Sequence, residues 1–320
     1  MRPIRLRDFI RVGDSYFSVL GYRNSEKVKC FLRYSPGEGD RVKDGKKFKK
    51  LSHEEALNHP MAREFFDGRI FRVPLERVEE VFKPEERLKD IEDPEVRRIV
   101  EFFGDLPRNE MGVTGSRLIG LKGEESDVDF IVYGKWWFLA REKLKRGLEK
   151  GELENLDEDT WDFIYKKRKI TLPFSVFVAQ EKRKFHRAFI HDTYFDLLYV
   201  RSYEEIENGI PEEPGKKVGK ATISARVIGD RFVFDYPAFY ELDRGVKGIL
   251  CFTHTFVGQA FKGEKILARG DIEIIEGERY LVVGTKREVE DEFIISLDFL
   301  EKQGLLNEVR EIVNCPEVQE

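Results

Sequence analysis

The stretch Gly115-Ser116-Arg117-Leu118-Ile119-Gly120, followed after a short loop by Ser126-Asp127-Val128-Asp129-Phe130, decides how this chain is read. Gly115 has no side chain, so a phosphate can approach its backbone closely. Ser116 follows the short predicted strand Met111–Thr114, at the point where the pattern turns helical. The free N–H groups and dipole of a helix start favour an anion, and the Ser116 hydroxyl adds one more donor. Asp127 and Asp129 stand two residues apart on the predicted strand Asp127–Tyr133. Side chains alternate along a strand, so both carboxylates point to one face. Two adjacent carboxylates repel each other, and a divalent cation between them removes that cost. Magnesium in particular favours one or two carboxylates together with substrate phosphates.

The flanking sequence supplies a frame for this string. Upstream, Asp93 caps a predicted helix with Pro94 at its first position, running to about Phe103 with Val96, Ile99, Val100 and Phe103 on one face. Downstream come predicted helices at Trp136–Lys150 and Pro173–Ala188 and a strand at Tyr194–Val200, which carries Asp196 between apolar residues. Helices interleaved with strands point to an α/β sheet core.

Gly115-Ser116-Arg117, Gly120 and Ser126-Asp127-Val128-Asp129 together resemble the minimal nucleotidyltransferases of the DNA polymerase beta superfamily, whose mark is a Gly-Ser turn and then an Asp-x-Asp strand roughly ten residues later. The resemblance covers residues 93–202, about a third of the chain, and the flanks look like an archaeal group of predicted nucleotidyltransferases. It implies metal-dependent transfer of a nucleoside monophosphate from a nucleoside triphosphate to a hydroxyl, with release of pyrophosphate. It also implies roles. Asp127, Asp129 and Asp196 would be the catalytic carboxylates and would hold Mg2+ or Mn2+, Asp196 also accepting the acceptor's proton. Gly115 and Ser116 would bind the β- and γ-phosphates, and Arg117 would contact phosphate. The chain departs from the family at Leu118-Ile119, where a second Arg or similar polar residue is common. The acceptor, whether RNA, protein or small molecule, is not specified by these motifs. The alternative is a nucleotide- or RNA-binding protein that keeps the fold without turnover.

The expected fold is α+β and multidomain. A small α+β module occupies residues 1–85, with a hairpin of Tyr16–Tyr22 and Val28–Tyr34, a loop at Ser35–Gly45, a capping box at Ser52 and Glu55, and a strand at Arg69–Val73. The nucleotidyltransferase domain, a mixed sheet with helices, fills 86–205. A linker at Glu205–Gly219 leads to a β-rich, barrel-like module over 216–300. Its expected strands are Ala221–Ile228, Arg231–Asp235, Val246–Thr253, Lys265–Ala268, Asp271–Ile275, Tyr280–Val283 and Phe293–Ser296, and a helix or tail closes 301–320, near Leu305–Val313.

Composition narrows the class further. The charged fraction is 37% with few Met and Cys, as expected of a thermophile. The net charge of −5 gives no support for a protein that coats duplex nucleic acid. Cys30, Cys251 and Cys315 form no metal or disulfide pattern. The start resembles no signal peptide and no apolar run is long enough to span a membrane, so a cytoplasmic protein with no membrane partner is expected. The basic runs Lys46–Lys50, Lys166–Lys169 and Lys182–Arg187 read as solvated faces. His186 and His191 lack helical ligand spacing, and Trp136 and Trp137 read as packing residues.

Overall fold

A computed structural model describes residues 2–124, 126–285, 291–313 and 318–319. The chain divides into two compact units, Met1–Asn155 with His186–Glu207, and Leu156–Phe185 with Asn208–Glu320.

The first unit holds two sheets. One is antiparallel and contains β1 (Phe9–Val12), β2 (Ser15–Val19), β3 (Lys27–Lys43), β4 (Lys46–Lys50), β5 (Phe71–Pro74) and β6 (Glu80–Phe82), in the order β4-β3-β2-β1-β6 with β5 also on β3. Alternation gives it two apolar faces. Ile10, Phe17, Val28, Cys30, Leu32 and Val73 pack with Ala56, Ala62 and Phe65 of the short helices His53–Asn58 and Pro60–Phe65. The opposite face carries Phe9, Tyr16, Tyr34, Phe48 and Phe82, which share a core with Leu118, Ile119 and Leu121 of the Gly-Ser segment. The expected hairpin is present, with Tyr16 opposite Tyr34 and Phe17 opposite Leu32. β3 continues through Ser35–Lys43, where a loop was expected, because its register against β4 shifts between Pro36 and Arg41. A bulge absorbs the Pro and Gly residues that read as loop signals. The basic run Lys46–Lys50 is itself β4, with only Phe48 buried. The capping box at Ser52 and Glu55 forms as expected.

The second sheet has β7 (Met111–Val113), β8 (Val128–Tyr133), β9 (Arg187–Ile190) and β10 (Thr193–Val200) in the order β7-β8-β10-β9, with β8 and β10 parallel and the outer pairs antiparallel. The helix Pro94–Phe102 starts at Asp93, whose side chain accepts the Glu95 amide. Phe103 stacks on Phe130 and meets Phe195 edge-on, with ring centroids at 5.4 and 6.2 Å. The helix Lys135–Lys150 ends at Gly151 in the left-handed region, a common helix stop. Its Trp137 is fully buried and donates its indole N–H to the Leu197 carbonyl at 3.4 Å, a packing role.

Two expected helices differ. Residues 115–120 form successive turns and not a helix. Leu118, Ile119 and Leu121 of this segment are all buried in the core shared with the first sheet. The helix expected over Pro173–Ala188 is confined to Phe174–Lys182. Phe185 takes a left-handed φ of 48°, and the chain enters β9 at Arg187.

The second unit contains the helices Glu158–Arg168 and Phe174–Lys182 and a sheet of β11 (Lys216–Phe232), β12 (Ala238–Leu242), β13 (Gly248–Cys251), β14 (Lys265–Ile275), β15 (Glu278–Val283), β16 (Phe293–Ser296) and β17 (Val318–Gln319). β14, β15, β13, β12 and β11 pair in sequence and β11 pairs again with β14, so the sheet closes into a ring. β11 is one strand where a turn was expected after Ile228, and Arg231–Asp235 is no separate strand. β14 is likewise continuous through Gly270, where a Cβ would sit 2.4 Å from the Val282 carbonyl oxygen. β12 was not foreseen. Near the end, Ser296 caps a helix at Leu297–Lys302, followed by a 3-10 turn at Leu306–Val309 and a helical turn at Arg310–Val313. Cys315 lies outside the described residues, and Cys30 and Cys251 are buried free thiols. Among the described residues no helix is long and apolar enough to cross a membrane.

Candidate active site

The parallel pairing of β8 with β10 sets Asp129 directly beside Asp196. In-register residues on neighbouring strands share a face, so the two carboxylates emerge on the same side of the sheet. Asp127 lies just before β8 and is exposed, whereas Asp129 and Asp196 are half-buried. Gly115 covers Asp129 closely. Its φ is +73°, and a Cβ built there would fall 2.7 Å from Asp129 Oδ2. The Thr114 amide donates to the Asp129 carbonyl at 3.0 Å, which fixes the turn against the strand.

Burial, the charge of Asp127 and, more weakly, that of Asp196 push the Asp129 carboxyl up to about 6. Arg7 and Arg33 pull in the other direction. Asp196 is held differently. Arg187, opposite it on β9, places Nε 3.1 Å from Asp196 Oδ1, and the Tyr194 hydroxyl donates to the same oxygen at 2.9 Å. Arg187 Nε also lies 3.1 Å from His186 Nε2. His186 thus borders the site through Arg187, and His191 is exposed.

Among the described residues no group of three or more His, Cys, Asp and Glu side chains stands close enough to hold a metal ion. The pair Asp127 and Asp129 nevertheless has the chemistry of a cation site, since an ionised Asp129 carries the repulsion that a divalent cation relieves. Asp196, drawn to Arg187, stands beside that pair as a third carboxylate.

Arg117 is placed away from a phosphate role. Its guanidinium is buried and donates from Nε to Asp93 Oδ2 at 3.0 Å, from Nη1 to the Ser126 carbonyl at 2.6 Å and to the Asp127 carbonyl, and from Nη2 to Glu95. Lys122 joins Asp93 and Glu95 at 3.0 and 2.9 Å. Arg117 therefore braces the backbone that presents Asp127. Ser116 is buried beside Gly115, and its carbonyl accepts the Leu121 amide at 2.8 Å.

Basic residues of the first sheet also reach this region. Arg41 Nη1 donates to the Leu121 carbonyl at 2.6 Å and to Ser126 Oγ at 3.1 Å. Lys43 Nζ donates to the Ile119 carbonyl at 2.9 Å. Within Lys46–Lys50, Lys46 and Lys47 pair with Asp14 and Glu38 at 3.0 Å each, and Lys49 pairs with Glu55. Lys50 lies across the ladder from Tyr34, and the charges of Asp127 and Asp129 act on it. No local pattern in the sequence assigns these residues to the site.

Comparison with known proteins bears on this constellation. The family model described as a nucleotidyltransferase domain matches residues 95–186, which include Gly115, Ser116, Asp127 and Asp129 and stop short of Asp196. MJ1086 of Methanocaldococcus jannaschii, itself uncharacterised, is 36% identical over 341 residues, covering 91% of this chain and 98% of that protein. No solved structure matches significantly.

Proposed function

This chain belongs to the nucleotidyltransferases of the DNA polymerase beta type, and on that premise we propose that it transfers a nucleoside monophosphate from a nucleoside triphosphate to a hydroxyl at the site built on Asp127, Asp129 and Asp196. The observation that carries the reading is the placement of Asp129 in register with Asp196 on parallel strands, with Gly115 packed on the Asp129 carboxylate.

In the proposed reaction the acceptor oxygen bonds to the α-phosphorus. The bond from that phosphorus to the bridging oxygen breaks, and pyrophosphate leaves. The acceptor's proton passes to Asp196, which Arg187 and Tyr194 hold on β10, and from there to solvent. Asp127 and Asp129 would hold Mg2+ or Mn2+, which when bound neutralises charge on the phosphates and the attacking oxygen. Gly115 and Ser116 leave a bare backbone surface against which the triphosphate can lie. Arg117 keeps Asp127 in place through the Ser126 and Asp127 carbonyls. Catalysis is then mainly positioning and charge neutralisation. A macromolecular acceptor, RNA or protein, suits the β-ring of the second unit by analogy with barrel-type binders.

A second reading, binding without turnover, is favoured by one feature. The ion pair between Arg187 and Asp196 competes with metal binding for the third carboxylate. Pyrophosphate release separates the two readings. Each of the four NTPs would be supplied with Mg2+ or Mn2+ and cellular RNA or protein, using the wild type and the double variant Asp127→Ala/Asp129→Ala. Release that the double variant abolishes is the expected result. Metal-independent nucleotide binding with no release under any condition would establish the second reading.

A further inference from the structure

The first sheet is tied to the carboxylate site at several points. The Thr114 hydroxyl, next to Gly115, donates to the Arg7 carbonyl at 2.7 Å. Arg41 and Lys43 hold the carbonyls of Leu121 and Ile119. Phe9, Tyr16, Tyr34, Phe48 and Phe82 bury Leu118, Ile119 and Leu121. These contacts flank the segment between Gly115 and Asp127.

Arg33 and Lys50 follow from this docking. Lys50 pairs across the ladder with Tyr34, and the Leu51 amide donates to the Arg33 carbonyl at 2.9 Å, so the two basic residues lie at one end of the β3–β4 pair. Tyr34 belongs to the face that packs on the Gly-Ser segment, and Arg41, bonded to Ser126, has its guanidinium 5.7 Å from the Tyr34 ring centroid. That end of the sheet thus borders the loop leading into Asp127. Arg7, whose carbonyl accepts from Thr114, has a left-handed φ of 73°, uncommon for a residue with a side chain.

The electrostatics agree with the geometry. The charges of Asp127 and Asp129 act on Lys50, which lies across the ladder from Tyr34 and so stands on the face that packs on the Gly-Ser segment. Lys50 remains exposed, and partial desolvation and then the neighbouring charge of Arg33 push it below its ordinary value. Gathering cations that repel one another beside a site costs stability, and an anion bound among them offsets that cost. Arg117, expected to meet phosphate, is committed to Asp93, Glu95 and two carbonyls. Residues 115–120 form no helix whose dipole would stand in for it.

We propose that Arg7, Arg33 and Lys50 bind the β- and γ-phosphates of the nucleoside triphosphate, so that the N-terminal sheet forms the phosphate-binding wall of the active site. The assignment rests on the nucleotidyltransferase reading above. Arg7, Arg33 and Lys50 belong to the sheet region that packs on the Gly-Ser segment, beside the carboxylate strand, which favours the triphosphate over the backbone of a nucleic-acid acceptor. They would also stay with the leaving pyrophosphate, where charge accumulates as the phosphorus–oxygen bond breaks.

The test uses the full chain with Arg33→Gln, Lys50→Gln and the charge-preserving Arg33→Lys, each checked by thermal melting. Two readouts are taken: equilibrium binding of inorganic tripolyphosphate, which needs no turnover, and KM for the NTP and for the acceptor in the pyrophosphate-release assay. Loss of one charged hydrogen-bond donor should weaken tripolyphosphate binding by about 10- to 100-fold. It should raise KM for the NTP in proportion with a smaller change in kcat, and Arg33→Lys should keep much of the affinity. Wild-type protein that fails to bind tripolyphosphate, or Gln variants that bind it as tightly as wild type, would overturn the proposal. So would a rise in KM confined to an RNA acceptor, which would place the cations on its backbone. If the wild type binds tripolyphosphate through these residues yet never releases pyrophosphate from any NTP, the phosphate site stands and transfer activity is what fails.

Discussion

Gly115→Ala is the most informative single substitution, because the structure separates its two effects. The first is backbone strain. A φ of +73° lies in the left-handed region, which costs a residue bearing a Cβ about 1–2 kcal/mol. The second is collision with the site. The new Cβ would stand 2.7 Å from Asp129 Oδ2, and reaching the 3.4 Å lower edge of ordinary contact requires the carboxylate or the turn to retreat by about 0.7 Å. Displacement on the order of 1 Å in a catalytic group costs on the order of 10²-fold in rate. Gly151→Ala is the matched control. Gly151 has the same φ of +73° and ends the helix Lys135–Lys150, and a Cβ added there would meet nothing within 4 Å. Urea melts should show both variants destabilised by about 1–2 kcal/mol. Pyrophosphate release should fall on the order of 10²-fold for Gly115→Ala alone. Equal activity in the two variants would refute the claim that the Gly115 turn and the Asp129 carboxylate form one working surface.

Further predictions concern the groups that hold the site. Arg117→Met should lower kcat with little change in KM for the NTP and cost about 3 kcal/mol of stability, since it removes a buried guanidinium from half-buried Asp93 and releases the Asp127 backbone; a rise in KM alone would instead restore Arg117 to phosphate binding. Lys83→Met leaves Asp8 buried without its ammonium partner at 2.8 Å and should cost about 3–5 kcal/mol near pH 8. Burial already raises Asp8 to about 7 against the pull of Lys83. Its folded value therefore lies above the unfolded one, and losing Lys83 raises it further, so the folded variant takes up the proton at a higher pH than the wild type and the deficit should shrink as pH falls toward about 7 and stay level below it. Urea melts at pH 5 and pH 8 that show equal losses would contradict this. Trp137→Ala should cost about 3–5 kcal/mol, as for a fully buried Trp packed edge-on against Tyr199, read from the shift in the urea midpoint; a loss below about 1 kcal/mol would refute its placement in the core.

Asp127 and Asp129 stood out through the Asp-x-Asp spacing after a Gly-Ser turn, and Asp196 through the resemblance, which asks for a further carboxylate between apolar residues on a later strand; the structure sets Asp129 beside Asp196 on β8 and β10. The helix at Pro94 was legible from its local cap. The site's surroundings were not, because they depend on contacts distant in sequence. The partners of Arg117 come from Asp93 and Glu95, more than twenty positions away, and a basic residue after a Gly-Ser turn looks the same whether it meets phosphate or carboxylate. Ser116 starts no helix because Leu118, Ile119 and Leu121 are claimed by a sheet formed over a hundred residues earlier for Phe9 and Tyr16, a tertiary override of local preference. Lys46–Lys50 was a run of charge in one dimension. As β4 it divides, and Lys46, Lys47 and Lys49 meet acids while Lys50 lies opposite Tyr34, on the face that packs on the Gly-Ser segment. The long strands β3, β11 and β14 were read short because Pro and Gly residues inside them mark bulges or close backbone approaches as readily as turns.

The central claim is transfer of a nucleoside monophosphate, and the fate of two labels tests it most directly. Parallel reactions would contain the same NTP labelled either at the α- or at the γ-phosphate, with Mg2+ or Mn2+ and a cellular RNA and protein extract. The account predicts that the α-label becomes attached to an acceptor while the γ-label leaves as pyrophosphate, and that Asp127→Ala/Asp129→Ala abolishes both. Transfer of the γ-label to the acceptor, or a product that forms equally well with the double variant, would contradict it.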